Sequence, residues 1–129
     1  MHIEHVALWT PDLERLRAFY AHHFAARAGP KYTNPAKQFS SYFLSFRSGA
    51  RLEIMHSPAL SADRPEPGRP AAGYAHLALS VGSREAVDAL VARLAADGVP
   101  VLDGPRLTGD GYYEAVILDP DGNRVEITV

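Results

Sequence analysis

The chain has 129 residues, of which 47% are hydrophobic, a length that suits one domain with a sizeable buried core and argues against two independently folding ones. Its formal net charge is −2, with 13 basic and 15 acidic residues spread without long runs, so it carries no electrostatic footprint for nucleic acid or an anionic membrane. There is no cysteine, which excludes a disulfide scaffold, a thiolate zinc site and a thiol nucleophile; any metal must be held by imidazole and carboxylate.

Small molecules or protein partners are therefore expected, with a small-molecule substrate favoured. Met1 to Thr10 carries His2, Glu4 and His5 where a secretory leader needs a basic start and an unbroken apolar stretch, and a cytoplasmic location is expected. No apolar run approaches the roughly 20 residues of a membrane helix.

In chain order, Ile3 to Trp9 is an apolar, β-branched stretch whose alternate side chains face opposite sides of a sheet. Thr10-Pro11-Asp12 then supplies an expected N-cap, a proline at the first helical position and an acid where the helix dipole favours it. Leu13, Leu16, Tyr20 and Phe24 follow at helical spacing, and the helix should end before Gly29-Pro30. After an irregular stretch, Phe39 to Phe46 and Arg51 to His56 flank Arg47-Ser48-Gly49-Ala50 as a hairpin. From Ser57 to Gly73 the chain is rich in Pro, Ala, Ser and Gly, including Pro58, Pro65, Pro67 and Pro70, and reads as a linker.

Beyond it, Tyr74 to Val81 reads as a strand, Ser83 as the N-cap of a helix carrying Val87, Leu90, Val91 and Leu94, and Gly98 as its left-handed close. A short strand is expected around Val99 to Leu102. Tyr113 to Leu118 and Arg124 to Val129 then flank the turn Asp119-Pro120-Asp121-Gly122-Asn123.

The second half repeats the first. His5-Val6-Ala7-Leu8 returns as His76-Leu77-Ala78-Leu79, and Arg51-Leu52-Glu53-Ile54 as Arg124-Val125-Glu126-Ile127, in the same order and at nearly the same offset. The unit is β-α-β-β-β, twice: module one at 1–57, a linker at 58–72, module two at 73–129. The fold class is α+β, with helices on one face of a mainly antiparallel sheet.

Each half also sets one His and one Glu among apolar strand residues: His5 and Glu53, then His76 and Glu126. Alone, such a Glu faces water and such a His is structural. Their return at equivalent positions is something packing does not require. Should the inner faces of the sheets meet, two carboxylates would repel unless a cation lay between them. Two imidazoles and two carboxylates suit one divalent ion, Zn, Ni, Co, Mn or Fe, with positions left open for water or substrate.

These residues resemble the vicinal oxygen chelate superfamily, which includes glyoxalase I, fosfomycin and bleomycin resistance proteins, methylmalonyl-CoA epimerase and extradiol dioxygenases. The resemblance covers essentially the whole chain. It rests on His5 with Thr10-Pro11-Asp12, on Arg51-Leu52-Glu53-Ile54, on Gly73-Tyr74-Ala75-His76-Leu77-Ala78, and on Asp119-Pro120-Asp121-Gly122-Asn123-Arg124-Val125-Glu126. The ligand order His, Glu, His, Glu is that of the glyoxalase branch.

The resemblance implies a cup-shaped sheet with outer helices, a homodimer, and His5, Glu53, His76 and Glu126 as metal ligands. It further implies a lyase or isomerase in which a carboxylate, Glu126 first and Glu53 as its counterpart, moves a carbon-bound proton while the cation stabilises an enediolate. Glyoxalase I commonly has an arginine four residues after its first ligand His and an asparagine four residues after its first ligand Glu, both used to hold glutathione. Here those positions are Trp9 and Ser57, and an indole does not replace a guanidinium, which argues against glutathione. The alternatives on the same scaffold are a non-haem iron dioxygenase and a non-catalytic drug-sequestering resistance protein.

Other residues admit two readings. Trp9 shares a strand face with His5 and either walls a pocket or packs in the core. Arg51 and Arg124 precede the two Glu by two residues and either orient the carboxylates or cover the sheet edge. Gly104-Pro105-Arg106 is expected as a loop, with Arg106 solvated.

Overall fold

The computed structural model describes residues 1–61 and 72–129; most of the expected linker, with Pro65, Pro67 and Pro70, lies outside the described residues. The chain divides into two compact units, Met1–Arg64 and Pro65–Val129.

The first unit runs β1 (His5–Trp9), α1 (Leu13–Phe24), β2 (Arg27–Ala28), β3 (Tyr32–Asn34), a single 3-10 turn (Pro35–Lys37), β4 (Phe39–Ser45) and β5 (Arg51–His56). The sheet order is β1-β5-β4-β2, with β3 also pairing β4. Only β1 and β5 are parallel, in a register that sets His5 beside Arg51, Ala7 beside Glu53 and Trp9 beside Met55. Strand alternation does the rest. Leu52 and Ile54 turn to one face and are buried with Leu44 and with Leu13, Leu16, Phe19 and Tyr20 of α1. Arg51, Glu53 and Met55 turn to the helix-free face. Removing the side chain of Leu16, Leu52 or Ile54 from water is worth about 1.5–3 kcal/mol each, which makes this one-residue register strongly specified.

The cap of α1 differs from expectation. Asp12, not Thr10, is the N-cap: its carboxylate accepts from the Arg15 amide at 3.0 Å, and Leu13 is the first helical residue. Thr10 is buried and closes the turn before it, its hydroxyl accepting from the Asp12 amide at 3.1 Å. The helix stops at Phe24, with Ala25 left-handed at φ 53°. The stretch read as irregular holds β2 and β3, which pair with the two ends of β4 and are separated by Gly29-Pro30-Lys31. Pro30 has no amide hydrogen with which to continue a ladder.

The second unit runs β6 (Leu77–Ser80), α2 (Arg84–Ala96), β7 (Val101–Leu107), β8 (Tyr113–Leu118) and β9 (Arg124–Thr128), in the sheet order β6-β9-β8-β7. Here too the first and last strands are parallel and the other pairs antiparallel. Val87, Val91 and Leu94 of α2 are buried, as are Ala115, Ile117, Val125 and Ile127 of the sheet. Ser83 caps α2, its hydroxyl accepting from the Ala86 amide at 3.2 Å, and Gly98 follows the helix at φ 80°.

Two expectations are corrected here. β6 begins at Leu77, so His76 stands one residue before the strand instead of within it. The segment Gly104-Pro105-Arg106 is no loop; β7 runs through it to Leu107 with register shifts between Val101 and Arg106. Gly104 makes this possible, since at φ 79° a Cβ would sit 2.4 Å from the Glu114 carbonyl oxygen.

The fold is therefore α+β; the second unit has the expected β-α-β-β-β order, and the first adds one short strand to it, β2 and β3 both pairing with β4. Among the described residues no helix is long and apolar enough to cross a membrane.

Candidate metal centre

In the first unit His5 opens β1 and Glu53 lies in the middle of β5. The parallel register brings His5 Nε2 to 3.9 Å from Glu53 Oε2. The Glu53 side chain is 14% exposed and that of His5 41%, so the carboxylate is sheltered and the imidazole reachable.

His5 is fixed from behind. Its Nδ1 donates to Glu4 Oε2 at 2.5 Å, since an ionised carboxylate only accepts, and in the neutral ring this tautomer leaves the lone pair on Nε2. Glu4 is held in turn by Arg51, whose Nε donates to it at 2.8 Å and whose terminal nitrogen donates as well, while the Arg51 amide donates to the Glu4 carbonyl at 3.0 Å. The hydrogen bond from His5, then that from Arg51, holds the Glu4 carboxyl below its usual range. Phe43, the cross-strand neighbour of Glu53, packs edge-on to the His5 ring with centroids 5.3 Å apart, and the Arg51 guanidinium lies 4.1 Å above its ring. Arg51 therefore pairs with Glu4 and not with the Glu53 carboxylate.

In the second unit the turn Asp119–Asn123 delivers β9. The buried Asp119 carboxylate accepts from the amides of Asp121 and Asn123, both at 2.9 Å, and from the Asn123 side-chain amide at 2.8 Å. Glu126, 15% exposed, then lies 3.4 Å from His76, Oε2 to Nε2. Glu114 of β8 pairs with Thr128 while Glu126 pairs with Val116, so the two carboxylates share a sheet face. Burial, then the charge of Glu126 and a hydrogen bond to it, raises the Glu114 carboxyl.

Sequence reasoning missed Glu4 and Glu114. Glu4 was detectable as a carboxylate adjoining a ligand-type histidine. Glu114 had no local signal, because it meets Glu126 only through strand pairing.

The donor set fits a divalent cation. Nitrogen and oxygen ligands at about 2.0–2.2 Å from one ion stand roughly 3 Å apart, so the second pair is nearly at ligating distance and the first needs about 1 Å of closure. His22, His23 and His56 do not join the first pair. His22 and His23 are in the last turn of α1, across the sheet from Glu53, and His56 Nδ1 donates to the Thr10 carbonyl at 3.1 Å. A cavity of about 280 Å³, bounded by Pro11, Glu14, Lys31, Ser40 and His56, likewise opens on the helix side and includes neither His5 nor Glu53.

A duplicated β-α-β-β-β module presenting one His–Glu pair per copy defines a class of mixed nitrogen and oxygen scaffold. Residues 2–127 match the profile described as Glyoxalase/Bleomycin resistance protein/Dioxygenase superfamily, and the chain belongs to that family. Among solved structures it is similar to a glyoxalase family protein from Enterococcus faecalis, at 26% identity and a TM-score of 0.78, covering 98% of this chain and 96% of that one. It is also similar to a lactoylglutathione lyase from Agrobacterium tumefaciens, at 26% identity and a TM-score of 0.69, covering 98% and 91%. The trypanothione-dependent glyoxalase I of Leishmania major shares the fold, at 23% identity and a TM-score of 0.78 over 99% and 86%. No curated protein matches the chain.

Proposed function

We propose that His5, Glu53, His76 and Glu126 together hold one divalent ion, Zn, Ni, Co, Mn or Fe, and that the protein is a lyase or isomerase of the glyoxalase type. Its substrate is a small molecule with vicinal oxygens, such as an α-hydroxycarbonyl compound, and its working form is a homodimer. The observation that supports this most is the recurrence, in both units, of a histidine Nε2 turned toward a sheltered glutamate oxygen.

A bound cation would supply Lewis acidity toward the substrate oxygens and so acidify the hydroxyl-bearing carbon next to the carbonyl. The protein's own groups do the proton work. Glu126 takes the carbon-bound proton and returns it to the neighbouring carbon, with Glu53 as its counterpart. Glu114 shares a sheet face with Glu126 and sets a second carboxyl group beside it. Glu4 holds His5 with its lone pair presented as a ligand. Trp9 and Ser57, which replace the arginine and asparagine used to hold glutathione, support a substrate that carries no glutathione.

The test is proton exchange in heavy water. Metal-reconstituted protein is incubated with a panel of α-hydroxyketones and deuterium incorporation at the exchanging carbon is followed by NMR. Exchange by the wild type, abolished in Glu126→Gln with folding intact, supports the reading. A metal-loaded protein that binds the compounds but exchanges nothing would favour the sequestering alternative.

A further inference from the structure

The first unit carries aromatic side chains on the face that bears His5 and Glu53. Trp9 follows Ala7 and His5 on that face of β1 and pairs with Met55, two residues past Glu53. Trp9 and Met55 thus stand one same-face step, about 7 Å, beyond Glu53 and its neighbour Ala7, and two such steps beyond His5. Phe39 stands edge-on to the Trp9 ring, with centroids 6.0 Å apart at 87°, and Tyr32 lies 6.1 Å from Phe39. Ala7 contributes only a methyl group in the space between His5 and Trp9.

Core packing does not account for these rings. Trp9 is 44% exposed and Tyr32 55%. The position equivalent to Trp9 in the second unit is Ser80, at the end of the equivalent strand, so the module folds without an indole there. Exposed aromatic surface next to a ligating pair is costly unless something apolar covers it in use. Trp9, Met55, Phe39 and Tyr32 carry no formal charge to balance an ionic tail.

Building on the function proposed above, we propose that Trp9, Phe39 and Tyr32 form a platform for a neutral aryl group attached directly to, or one bond from, the chelating oxygens of the substrate. The step of about 7 Å from Glu53 sets that length: a ring bonded next to the chelating atoms and directed along β5 toward Met55 reaches Trp9. A methyl group in its place does not reach the indole.

Trp9 is the only tryptophan of the chain, so its fluorescence reports this surface directly. Benzohydroxamate and acetohydroxamate are unreactive chelators with vicinal oxygens that differ in the ring alone. Each is titrated into metal-reconstituted protein and followed by Trp9 fluorescence and by calorimetry. Benzohydroxamate should bind about tenfold tighter or better and perturb the Trp9 emission. Trp9→Ser, which installs the residue of the second module, and Phe39→Ala should each reduce the preference to about threefold or less while acetohydroxamate affinity stays unchanged.

Equal affinities in metal-loaded wild type, or a preference that survives both substitutions, would overturn the platform and leave the metal reading intact. Failure to take up metal at all would remove the reading and the platform together.

Discussion

The carboxylate of Glu4 and the Nδ1 of His5 lie 2.5 Å apart, an arrangement that leaves Nε2 of the same ring facing Glu53. A carboxylate behind a ligating imidazole fixes its tautomer and raises its basicity, and losing such a partner typically costs 10–100-fold in metal affinity. The position equivalent to Glu4 in the second unit is Ala75, so this support belongs to one histidine only. Glu4→Ala should weaken metal binding by about tenfold or more, and Glu4→Gln, which keeps an acceptor, by less. Competition with a chromophoric chelator measures both, with circular dichroism confirming the fold. Equal affinity in wild type and Glu4→Ala would refute the assignment.

Gly104 lets β7 press against β8 next to Glu114. A methyl group there meets backbone atoms, the Glu114 carbonyl oxygen and the Ala115 Cα at 2.8 Å, at a positive φ. Gly104→Ala should destabilise the protein by about 2–4 kcal/mol, read from urea denaturation. A loss below about 0.5 kcal/mol would mean that β7 separates from β8 more readily than its pairing implies.

Asp119 satisfies three donors of the turn that delivers Glu126. Asp119→Ala leaves those donors short of an acceptor in a largely buried site, at a cost of about 2–3 kcal/mol. Metal binding should weaken in the same variant, because the turn sets where β9 starts. Undiminished affinity would separate the turn from the site.

Glu14 governs a pH-dependent contribution away from the metal ligands. Hydrogen bonds from Arg17, then Lys31, then Tyr42, lower its carboxyl from 4.5 to about 2. The folded pKa is the lower one, so this stabilisation is present above about pH 4.5 and is lost as pH falls through about 2. The side chain is half exposed, which keeps the contribution small and sensitive to salt. The stability difference between wild type and Glu14→Gln should be constant above pH 5 and vanish toward pH 2. A difference that grows on acidification would contradict the sign.

Much of this was legible in the sequence because it is local or periodic. The β-α-β-β-β order came from alternating apolar residues, Ser83 and Gly98, and the repeat of His-x-Ala-Leu and Arg-x-Glu-Ile. That each half sets one His and one Glu among its strands was read from that symmetry; that each histidine Nε2 faces the glutamate of its own unit is what the structure adds. What escaped depends on partners distant in sequence. Arg51 was read as either orienting the Glu53 carboxylate or covering the sheet edge; it turns to Glu4 because the parallel register sets it beside His5. β7 extends through a proline because the neighbouring backbone accommodates Gly104. Thr10 and Asp12 are both good N-caps, and only the buried turn at Thr10 decides between them.

The proposal that His5, Glu53, His76 and Glu126 hold one ion requires that neither His–Glu pair suffices alone. It is tested most directly by elemental analysis of dialysed wild type beside His5→Ala and His76→Ala, each in a different unit. One transition metal per chain in the wild type, lost in both variants, is the predicted result. Full retention of metal in either variant, or a wild type that takes up none on reconstitution, would contradict the claim.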